Sequence, residues 1–329
     1  ESFMENYTWL DNAKVRVSYG TTGNSSFANY GYQSLIGTGG LYNGEGSIGI
    51  SQAGNPDLSW ETVRSFDAGF NVGFLNMFTL DFDFYVKNTH DMLMEIPYSY
   101  TTGHDSGWGN VGSMRNTGVD VDFRANLIRN KDWSWNLRCN FNYNKNEVTG
   151  LYDGLDELTL GISKLEVGRP AYEYYMVRYA GVDPRDGKQL WLTKEGNLTK
   201  TINRERDAVV LRGQTLFAPW TGGFGTDLRW KGLSLRLDFN WAAKKYMRND
   251  DRFFVTDNNM ASNNQVVDML TVWTKPGDIT NIPKVGETID QFDTRWLEDA
   301  SYVRLKNLTV QYSLPQNWIK GAGLQNVNV

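Results

Sequence analysis

Apolar and polar side chains alternate over unusually long stretches of this 329-residue chain. In segment 77–87, one set of alternate residues is apolar and the other is polar or charged. The apolar residues are Phe78, Leu80, Phe82, Phe84 and Val86, and the residues between them are Thr79, Asp81, Asp83 and Tyr85. Successive side chains of a β-strand point to opposite faces, so a period of two indicates strands rather than helices. The pattern predicts an all-β fold.

The same alternation recurs along the chain and predicts nine strands. They lie near residues 12–21, 59–75, 77–93, 115–129, 132–149, 218–230, 232–247 and 300–314, and the ninth starts at about Asn326. Soluble strands centre on about 5 or 6 residues, whereas a tilted strand needs about 9 to 11 residues to cross a membrane. The phase of the alternation slips once near Asn307, which predicts a β-bulge.

The connections between these strands alternate between short and long. Tight turns are predicted at Asn76, at Asn130 with Lys131, and at Lys231 with Gly232. Long polar connections cover about 21–59, 94–114, 150–217 and 248–299. Short turns on one side and long loops on the other are typical of an antiparallel transmembrane β-barrel. A soluble sandwich, with one apolar and one wet face on each sheet, is the alternative fold.

Composition excludes several other classes of protein. The chain has 33 basic and 38 acidic side chains and a net charge of −5, which does not suit a phosphate-binding surface for nucleic acid. The sequence contains no run of 18 apolar residues, the length that would indicate a membrane helix. Cys139 is the single cysteine, so an intrachain disulfide or a zinc ribbon is excluded.

The strand count predicts that the sequence is part of a larger barrel. Nine antiparallel strands, the last of which stops at Val329, cannot close a bacterial barrel with an even number of strands. An open sheet would leave unpaired edges and an uncovered apolar face. We therefore expect the remaining strands to lie on residues outside this sequence.

Several strings resemble one family, in the same order and over nearly the whole chain. They are KVRVSYGTTGN from Lys14, NPDLSWETVRSFDAGFNVGFLN from Asn55, NVGSMRNTGVDVDF from Asn110, PWTGGFGTDLRWKGLSLRLDFNW from Pro219 and WLEDASYVRLKNLTVQYSLP from Trp296. They resemble the C-terminal half of SusC/RagA-type TonB-dependent transporters of Bacteroidota. The resemblance implies a 22-stranded barrel with an N-terminal plug. This sequence, which shows no signal peptide, TonB box or plug, would supply the later strands.

The resemblance also implies a function. Family members import large nutrients, chiefly oligosaccharides and in some cases peptides, across the bacterial outer membrane. A SusD-like surface lipoprotein covers the barrel, and the TonB–ExbB–ExbD complex supplies energy through N-terminal parts. No cofactor and no covalent chemistry are needed, so no enzyme is expected. The alternatives are a soluble or secreted all-β carbohydrate-binding protein or glycosidase, and a passive barrel without TonB coupling.

Candidate catalytic and metal-binding groups have simpler explanations. His104, Asp105 and Ser106 are the residue types of a hydrolase triad, but adjacent residues do not readily converge as a triad requires. The string DPRDG at Asp183 lacks most ligands of a calcium loop and predicts a β-turn. Paired carboxylates such as Asp81 with Asp83 recur in successive strands, which indicates a charged lumen wall. No catalytic, cofactor or metal site is predicted.

Aromatic residues in the long loops are the candidates for substrate contact. They are Trp60, Tyr98, Tyr100, Trp108, Tyr172, Tyr174, Tyr175, Trp191 and Trp220. Aromatic rings can stack on sugars or grip peptide side chains, and they also pack loops or form interface belts. We select Tyr98, Tyr100 and Trp108 as substrate-binding residues, because no alternation in their loop explains them. Trp133, Trp135 and Trp230 lie beside short turns and are expected to form a periplasmic belt.

Overall fold

The computed structural model describes residues 7–25, 29–104, 106–257, 264–324 and 327–329, and the strands within them are labelled in chain order. They are β1 Leu10–Asn24, β2 Leu35–Tyr42, β3 Glu45–Gln52, β4 Glu61–Phe74, β5 Phe78–His90, β6 Leu93–Pro97, β7 Ser106–Asn110, β8 Gly112–Arg129, β9 Trp133–Leu151, β10 Glu157–Leu160, β11 Ser163–Glu166, β12 Glu173–Met176, β13 Arg178–Val182, β14 Gln189–Leu192, β15 Leu198–Thr199, β16 Val209–Thr215, β17 Trp220–Trp230, β18 Leu233–Ala243, β19 Tyr246–Arg248, β20 Leu297–Asp299 and β21 Tyr302–Tyr312.

Helical segments are few and short. The α-helices are α1 Arg204–Asp207, α2 Asp250–Thr256 and α3 Gln316–Ile319. Single 3₁₀ turns cover Tyr100–Thr102, Tyr152–Gly154, Val267–Thr271, Thr294–Trp296 and Lys320–Ala322. None of the helices in the described residues combines the length and the apolar character needed to cross a membrane.

One large sheet organises the molecule. Its strand order is β1-β4-β5-β8-β9-β17-β18-β21, and every neighbouring pair is antiparallel. The eight strands are 11 to 19 residues long, well above the usual 5 or 6. They match the first eight strands predicted from the alternation, and the all-β antiparallel prediction is confirmed. The sheet is open, with β1 and β21 at its edges.

The register aligns side chains of one kind across the whole sheet. One row of directly paired residues is almost entirely apolar: Val15, Phe70, Phe82, Val121, Phe141, Gly222, Trp241 and Val303. The next row, on the opposite face, holds Arg16, Gly69, Asp83, Asp120, Asn142, Thr221, Ala242 and Tyr302. A shift of one residue in any strand would exchange these faces, so the register is strongly specified.

The predicted bulge near Asn307 is confirmed. Asp238 pairs with Asn307, whereas the next residue, Phe239, pairs with Leu305, so Lys306 is the extra residue on β21. Without this insertion, the apolar residues on the two sides of Asn307 would lie on opposite faces of the strand. The bulge therefore keeps the apolar face continuous along β21.

The last residues begin a further extended segment beside β21. The amide of Leu314 donates to the carbonyl of Val327 at 2.9 Å, and Tyr312 and Val329 exchange two backbone hydrogen bonds of 2.8 and 3.0 Å. Ser313 and Asn328 form an antiparallel bridge. The start of the ninth predicted strand, Asn326, lies outside the described residues, but the residues that follow it pair as expected.

The three shortest connections lie at one end of the large sheet. They join β4 to β5, β8 to β9 and β17 to β18, and the turn residues Leu75, Asn76 and Lys231 have left-handed φ values of 56°, 52° and 51°. Asn tolerates this conformation better than most residues, because its short side chain can hydrogen-bond locally. In the remaining turn, the Asn130 side chain accepts from the amides of Asp132 and Trp133 at 3.0 and 2.7 Å.

The long connections lie at the other end and contain ordered secondary structure, which the sequence patterns did not indicate. The first and second contain the hairpins β2-β3 and β6-β7. The third contains two small sheets, β10-β11-β12-β16 and β13-β14-β15, and the fourth contains β19, β20 and α2. Most of the buried hydrophobic residues belong to these connections, in clusters around Leu165, Trp191 and Phe253. The compact core therefore lies beside the large sheet rather than on its apolar face.

A close approach within the large sheet generates a prediction. A Cβ at Gly118 would overlap the ring of Tyr85 and lie 2.5 Å from the carbonyl oxygen of Tyr143. We expect Gly118→Ala to lower the free energy of unfolding by about 1 to 3 kcal/mol, as overpacking generally does. The measurement is a urea titration followed by tryptophan fluorescence. Gly150→Ala is the matched control, because its Cβ would meet no heavy atom within 4 Å. An equal loss in both variants would contradict the packing described.

Candidate functional site

The polar face of the large sheet carries a patch of carboxylates on neighbouring strands. Asp81 pairs directly with Asp122, and Asp83 pairs directly with Asp120. Like charges at directly opposed positions destabilise a sheet unless cations lie between them. Arg16 supplies such a cation, with its Nε 2.8 Å from Asp83 Oδ1 and its Nη1 3.3 Å from Asp81 Oδ1.

The two carboxylates on β8 also have polar partners. The Nε of Arg124 lies 2.9 Å from Asp122 Oδ1, and the Asn142 amide donates to Asp120 at 2.5 Å. These side chains are half-exposed or exposed. Their contacts therefore order the wall more than they stabilise the fold, since exposed ion pairs contribute at most about 1 kcal/mol.

A second charged cluster lies nearer the short turns. Arg138 on β9 is ion-paired with Asp227 and Asp238, and its Nε lies 3.1 Å from Asp238 Oδ1. Asp238 also accepts from Arg236 Nε at 2.9 Å and from Asn307 at 3.2 Å. Charged side chains thus line the polar face across several strands, as the sequence predicted for a wet interior.

Two open recesses lie on this polar face. One, of about 530 Å³, is lined in part by Asp81, Asp83, Asp120 and Asn142. The other, of about 540 Å³, is lined in part by Tyr85, Lys87, Asn116, Asn144, Phe217 and Lys245. Both are broad rather than enclosed; the first is rich in carboxylates and amides, and the second is lined by amides and two lysines. Such surfaces suit many weak polar contacts with a large solute, because no single group dominates them.

The apolar face carries aromatic pairs at both ends of the strands. Trp133 and Trp230 stack beside the short turns with ring centroids 5.7 Å apart, and Trp220 and Tyr143 contact at 4.2 Å beside the long connections. Trp220 and Trp230 lie on the same face of β17, ten residues apart. At ~3.4 Å per residue and a tilt of ~40°, this separation corresponds to a height of about 26 Å. It agrees with the apolar band of about 25 Å that membrane barrels present to lipid.

These pairs contain two of the three predicted belt residues and one aromatic residue that the sequence patterns assign to a loop. Trp133 and Trp230 form the pair beside the short turns, where a belt was expected. Trp220, expected in a long loop, begins β17 and packs on Tyr143. It therefore belongs to the aromatic pair beside the long connections, and its position at the first residue of the strand explains why alternation alone does not place it there.

The predicted substrate-binding residues lie around the hairpin β6-β7 and do not converge. The ring of Tyr98 occupies the space that a Cβ on Gly107 would take. Trp108 follows Gly107, pairs with Glu95 and lies on the opposite face of the hairpin. The side chain of Tyr100 lies outside the described part of the structure. Tyr98 and Trp108 are both partly exposed, but on different faces, so they cannot form one aromatic platform.

Other loop aromatics differ in burial and therefore in role. Trp191 and Tyr174 are only 6% exposed, and Trp191 belongs to the core cluster with Val177 and Ala208. Trp60 is 67% exposed and packs near Gly23. Burial thus separates aromatics that hold the connections together from those that remain accessible, a distinction that the sequence does not show.

A buried polar cluster joins the third and fourth long connections. Asp293 is fully buried and accepts from Trp191 Nε1 and from Arg295 Nη2, each at 2.9 Å. Arg295 also donates to Gln189 Oε1 at 2.6 Å and lies 3.7 Å from the ring centroid of Tyr179. Burial raises the pKa of Asp293, against the attraction of Arg295, and raises the pKa of Tyr179 to about 12.

The DPRDG string forms a turn closed by a lysine. Lys200 Nζ lies 2.7 Å from a carboxylate oxygen of both Asp183 and Asp186, and the amide of Arg185 donates to Asp183 at 3.0 Å. Hydrogen bonds from Arg185, and then from Lys200, hold the pKa of Asp183 well below its ordinary value. A lysine therefore occupies the position that a cation would take. In the described ranges, no group of three or more His, Cys, Asp or Glu side chains could hold a metal ion.

The triad-like string also lacks the geometry of a triad. Ser106 Oγ donates to the carboxylate of Glu95 across the hairpin rather than to His104, and Asp105 lies outside the described residues. A serine hydrogen-bonded to a carboxylate in this way has no general base of the triad type.

The buried cluster provides a test of how the connections are held. In Asp293→Ala, Arg295 loses its buried counterion, and removal of one partner of a buried pair costs about 3 kcal/mol. We expect hydrogen exchange within 244–301 to accelerate about 100-fold, while exchange in β5 and β8 is unchanged. The control is Asp268→Ala, which removes an exposed ion pair with Arg252 at 3.6 Å and should have little effect. Equal acceleration in both variants would contradict a role for the cluster.

Comparison with known proteins gives consistent matches over almost the entire chain. A protein-family model described as "TonB dependent receptor-like, beta-barrel" matches residues 6–328. TonB-dependent receptor P3 of Formosa agariphila is 28% identical and matches 100% of this chain and 35% of its own length. TonB-dependent receptor SusC of Bacteroides thetaiotaomicron is 24% identical and matches 98% of this chain and 34% of its own length.

Solved structures agree with the sequence relatives. The structure of the RagAB peptide transporter superposes with a TM-score of 0.83 at 37% identity, over 99% of this chain and 36% of the matched chain. The structure of the RagAB peptide importer in the closed-closed state superposes with a TM-score of 0.82 at 38% identity, over 96% of this chain and 36% of the matched chain. The chain thus spans about a third of the length of the proteins it matches.

Proposed function

The chain belongs to the TonB-dependent receptor-like β-barrel family, and from this premise we propose that the whole protein imports large nutrients across the bacterial outer membrane with energy supplied through TonB. The resemblance to SusC/RagA-type members is confirmed by the matches to SusC and RagAB. The family comprises transport receptors rather than enzymes, in agreement with the sequence analysis. The secreted carbohydrate-binding protein or glycosidase considered there does not fit this family.

The uncovered apolar face of the large sheet is the observation that carries the proposal. Its rows of Phe, Val and Leu are bounded by aromatic pairs about 26 Å apart in height, and the buried core lies in the long connections. A face of this height suits the hydrocarbon of a membrane. The opposite face, with its interleaved carboxylates, arginines and amides, suits the wet interior of a barrel.

We assign residues 1–329 to the C-terminal part of such a transporter barrel. The long loops predicted at about 21–59, 94–114, 150–217 and 248–299 would be extracellular, and the three short turns would be periplasmic. The order of the strands supports this orientation, because all long connections lie at the same end of the sheet. Outer-membrane barrels typically have long extracellular loops and short periplasmic turns.

The proposed partners follow from the same resemblance. A SusD-like surface lipoprotein would cover the long loops, and the TonB–ExbB–ExbD complex would act through N-terminal parts of the whole protein. The third and fourth connections are well suited to a docking surface, since the cluster around Asp293 holds them together. A preformed surface binds a partner without the entropy cost of ordering loops.

Peptides are the cargo class that we favour over oligosaccharides. Two solved structures that match this chain at 37% and 38% identity are described as a peptide transporter and a peptide importer. The broad recesses on the polar face offer amides and charged groups that suit peptide backbones and side chains. Tyr98, Tyr100 and Trp108 remain our proposed substrate contacts. The hairpin geometry indicates that Tyr98 and Trp108 would touch different parts of a cargo.

Growth on a single nutrient tests the proposal. A strain that lacks the protein should lose growth on oligopeptides as the only nitrogen source, and the full-length gene should restore it. Restoration should fail when TonB is deleted, and Trp108→Ala should slow uptake because an aromatic contact contributes about 1 kcal/mol.

Uptake that survives loss of TonB would favour a passive barrel. A growth defect confined to oligosaccharides would show that the cargo is an oligosaccharide rather than a peptide. Recovery of the protein in the detergent-free aqueous fraction would contradict the membrane assignment.

Substitutions on the two faces of β5 test the orientation of the sheet. Leu80→Lys and Phe82→Lys should each impair assembly, because a lysine on the lipid face costs about 2 to 4 kcal/mol at the bilayer midplane. The fraction of folded protein is measured by heat-dependent mobility on gels. Asp81→Asn and Asp83→Asn, on the same strand but the opposite face, are the controls and should assemble nearly normally. Equal damage on both faces would contradict the orientation.

A further inference from the structure

The apolar face of four strands becomes cationic just beyond the aromatic pair of Trp220 and Tyr143. One row of paired residues contains Phe66, Val86, Thr117 and Lys145 on β4, β5, β8 and β9. The next row on the same face, two residues closer to the long connections, contains Arg64, Asn88, Arg115 and Glu147. The two rows together hold three cations and one carboxylate. We call Arg64, Arg115 and Lys145 the cation patch.

The cation patch faces away from the polar side of the sheet. Alternate residues of a strand share a face, so Arg64 lies on the face of Phe66 and Phe70, and Lys145 lies on the face of Phe141 and Tyr143. All three cations are exposed. The patch is therefore on the face that the proposed function turns toward lipid, and it is separated by the sheet from the carboxylates of the lumen wall.

Local contacts orient two of the three cations. Arg115 Nε donates to Asn88 Oδ1 at 2.9 Å, which fixes the plane of its guanidinium group. Lys145 Nζ lies 2.7 Å from Glu147 Oε2. With one carboxylate for three cations, the two rows keep a net positive charge in a chain whose net charge is −5.

The height of the patch matches the headgroup region of a membrane. Lys145 is two residues beyond Tyr143 on β9, and Arg115 pairs with Glu147 in the row beyond it. At ~3.4 Å per residue and a tilt of ~40°, Lys145 and Glu147 on β9 lie about 5 and 10 Å outside the aromatic belt. Tyrosine and tryptophan mark the border between hydrocarbon and headgroups, so Lys145 and Arg115, the residue paired with Glu147, would meet headgroups rather than acyl chains.

We propose that the cation patch binds the phosphate groups of an anionic lipid in the outer leaflet. This inference rests on the proposed membrane placement and on the extracellular position of the long loops. Arginine matches phosphate geometry with two parallel hydrogen bonds, and lysine supplies a point charge. The next row inward on the same face, which contains Phe84, Val119 and Tyr143, provides apolar surface for the upper part of the acyl chains, so the site combines both halves of a lipid.

The experiment measures lipid binding by the purified full-length protein in detergent micelles. The probe is bisphosphorylated lipid A, titrated and counted by native mass spectrometry. The triple variant Arg64→Gln, Arg115→Gln, Lys145→Gln should lower the affinity at least fivefold. Lipid A without its phosphates should bind the wild type as weakly as the intact lipid binds the variant. Salt at ~1 M should weaken binding by the wild type, because it screens charges beyond about 3 Å.

Two further variants separate the effect of the patch from general effects of charge and folding. Lys87→Gln removes a cation next to Val86 and Asn88 on the opposite face of β5, and it should leave the affinity unchanged. Arg64→Lys with Arg115→Lys keeps the charge and should retain most of the binding. If the triple variant fails to fold, as judged by heat-dependent mobility on gels, the single substitutions are compared. Each single substitution should then weaken binding about twofold or more.

The outcomes distinguish this inference from the proposed function. The wild-type protein could be found in the outer-membrane fraction while the wild type and the triple variant bind lipid with equal affinity. That result would overturn the lipid site and leave the transporter proposal intact. An equal loss of affinity in Lys87→Gln would also overturn it. Absence of the wild-type protein from the outer-membrane fraction would contradict the transporter proposal itself. Inhibition of lipid binding by inorganic phosphate at the same concentration as lipid A would show a general anion site rather than a lipid site.

Discussion

The structure depends on the need to cover one apolar face of a single-layered sheet. Phenylalanine, valine and leucine side chains form continuous rows across eight strands, while the compact clusters of buried residues lie in the long connections. In water, such a face would associate or collapse, because large exposed apolar patches are unfavourable. Hydrocarbon removes this cost, and its thickness agrees with the distance between the aromatic pairs of β17. Membrane placement, strand length and lumen polarity follow from the same constraint.

The polar face follows a different physical rule. Carboxylates recur on adjacent strands, so the sheet places like charges side by side and must interleave cations. Arg16 and Arg138 do this, each between two aspartates. Because these groups remain accessible to water, the free-energy cost of pairing them is small. The carboxylates and arginines can therefore exchange partners. A lumen of this kind can hold a large solute through many weak contacts and still release it.

The sequence predicted the large sheet well, because alternation is a local property that each strand displays on its own. All eight long strands and the bulge at Asn307 follow from it. Most of the short strands of the connections have 2 to 5 residues, which gives too few alternations to distinguish a strand from a loop. Their cluster depends on contacts such as Trp191 with Asp293, which are 102 residues apart. The opposite placement of Tyr98 and Trp108 depends on the register of a hairpin that the sequence did not reveal.

The central claim is that every second side chain of the long strands contacts acyl chains while its neighbours contact water. A spin-label scan along residues 79–86 of β5 tests it directly, in the reconstituted full-length protein with Cys139 replaced by serine. The account predicts that collision with oxygen, which partitions into hydrocarbon, peaks at Leu80, Phe82 and Phe84. Collision with a water-soluble nickel chelate should peak at Asp81 and Asp83. Loss of the two-residue period, or chelate access at the apolar positions, would contradict the account.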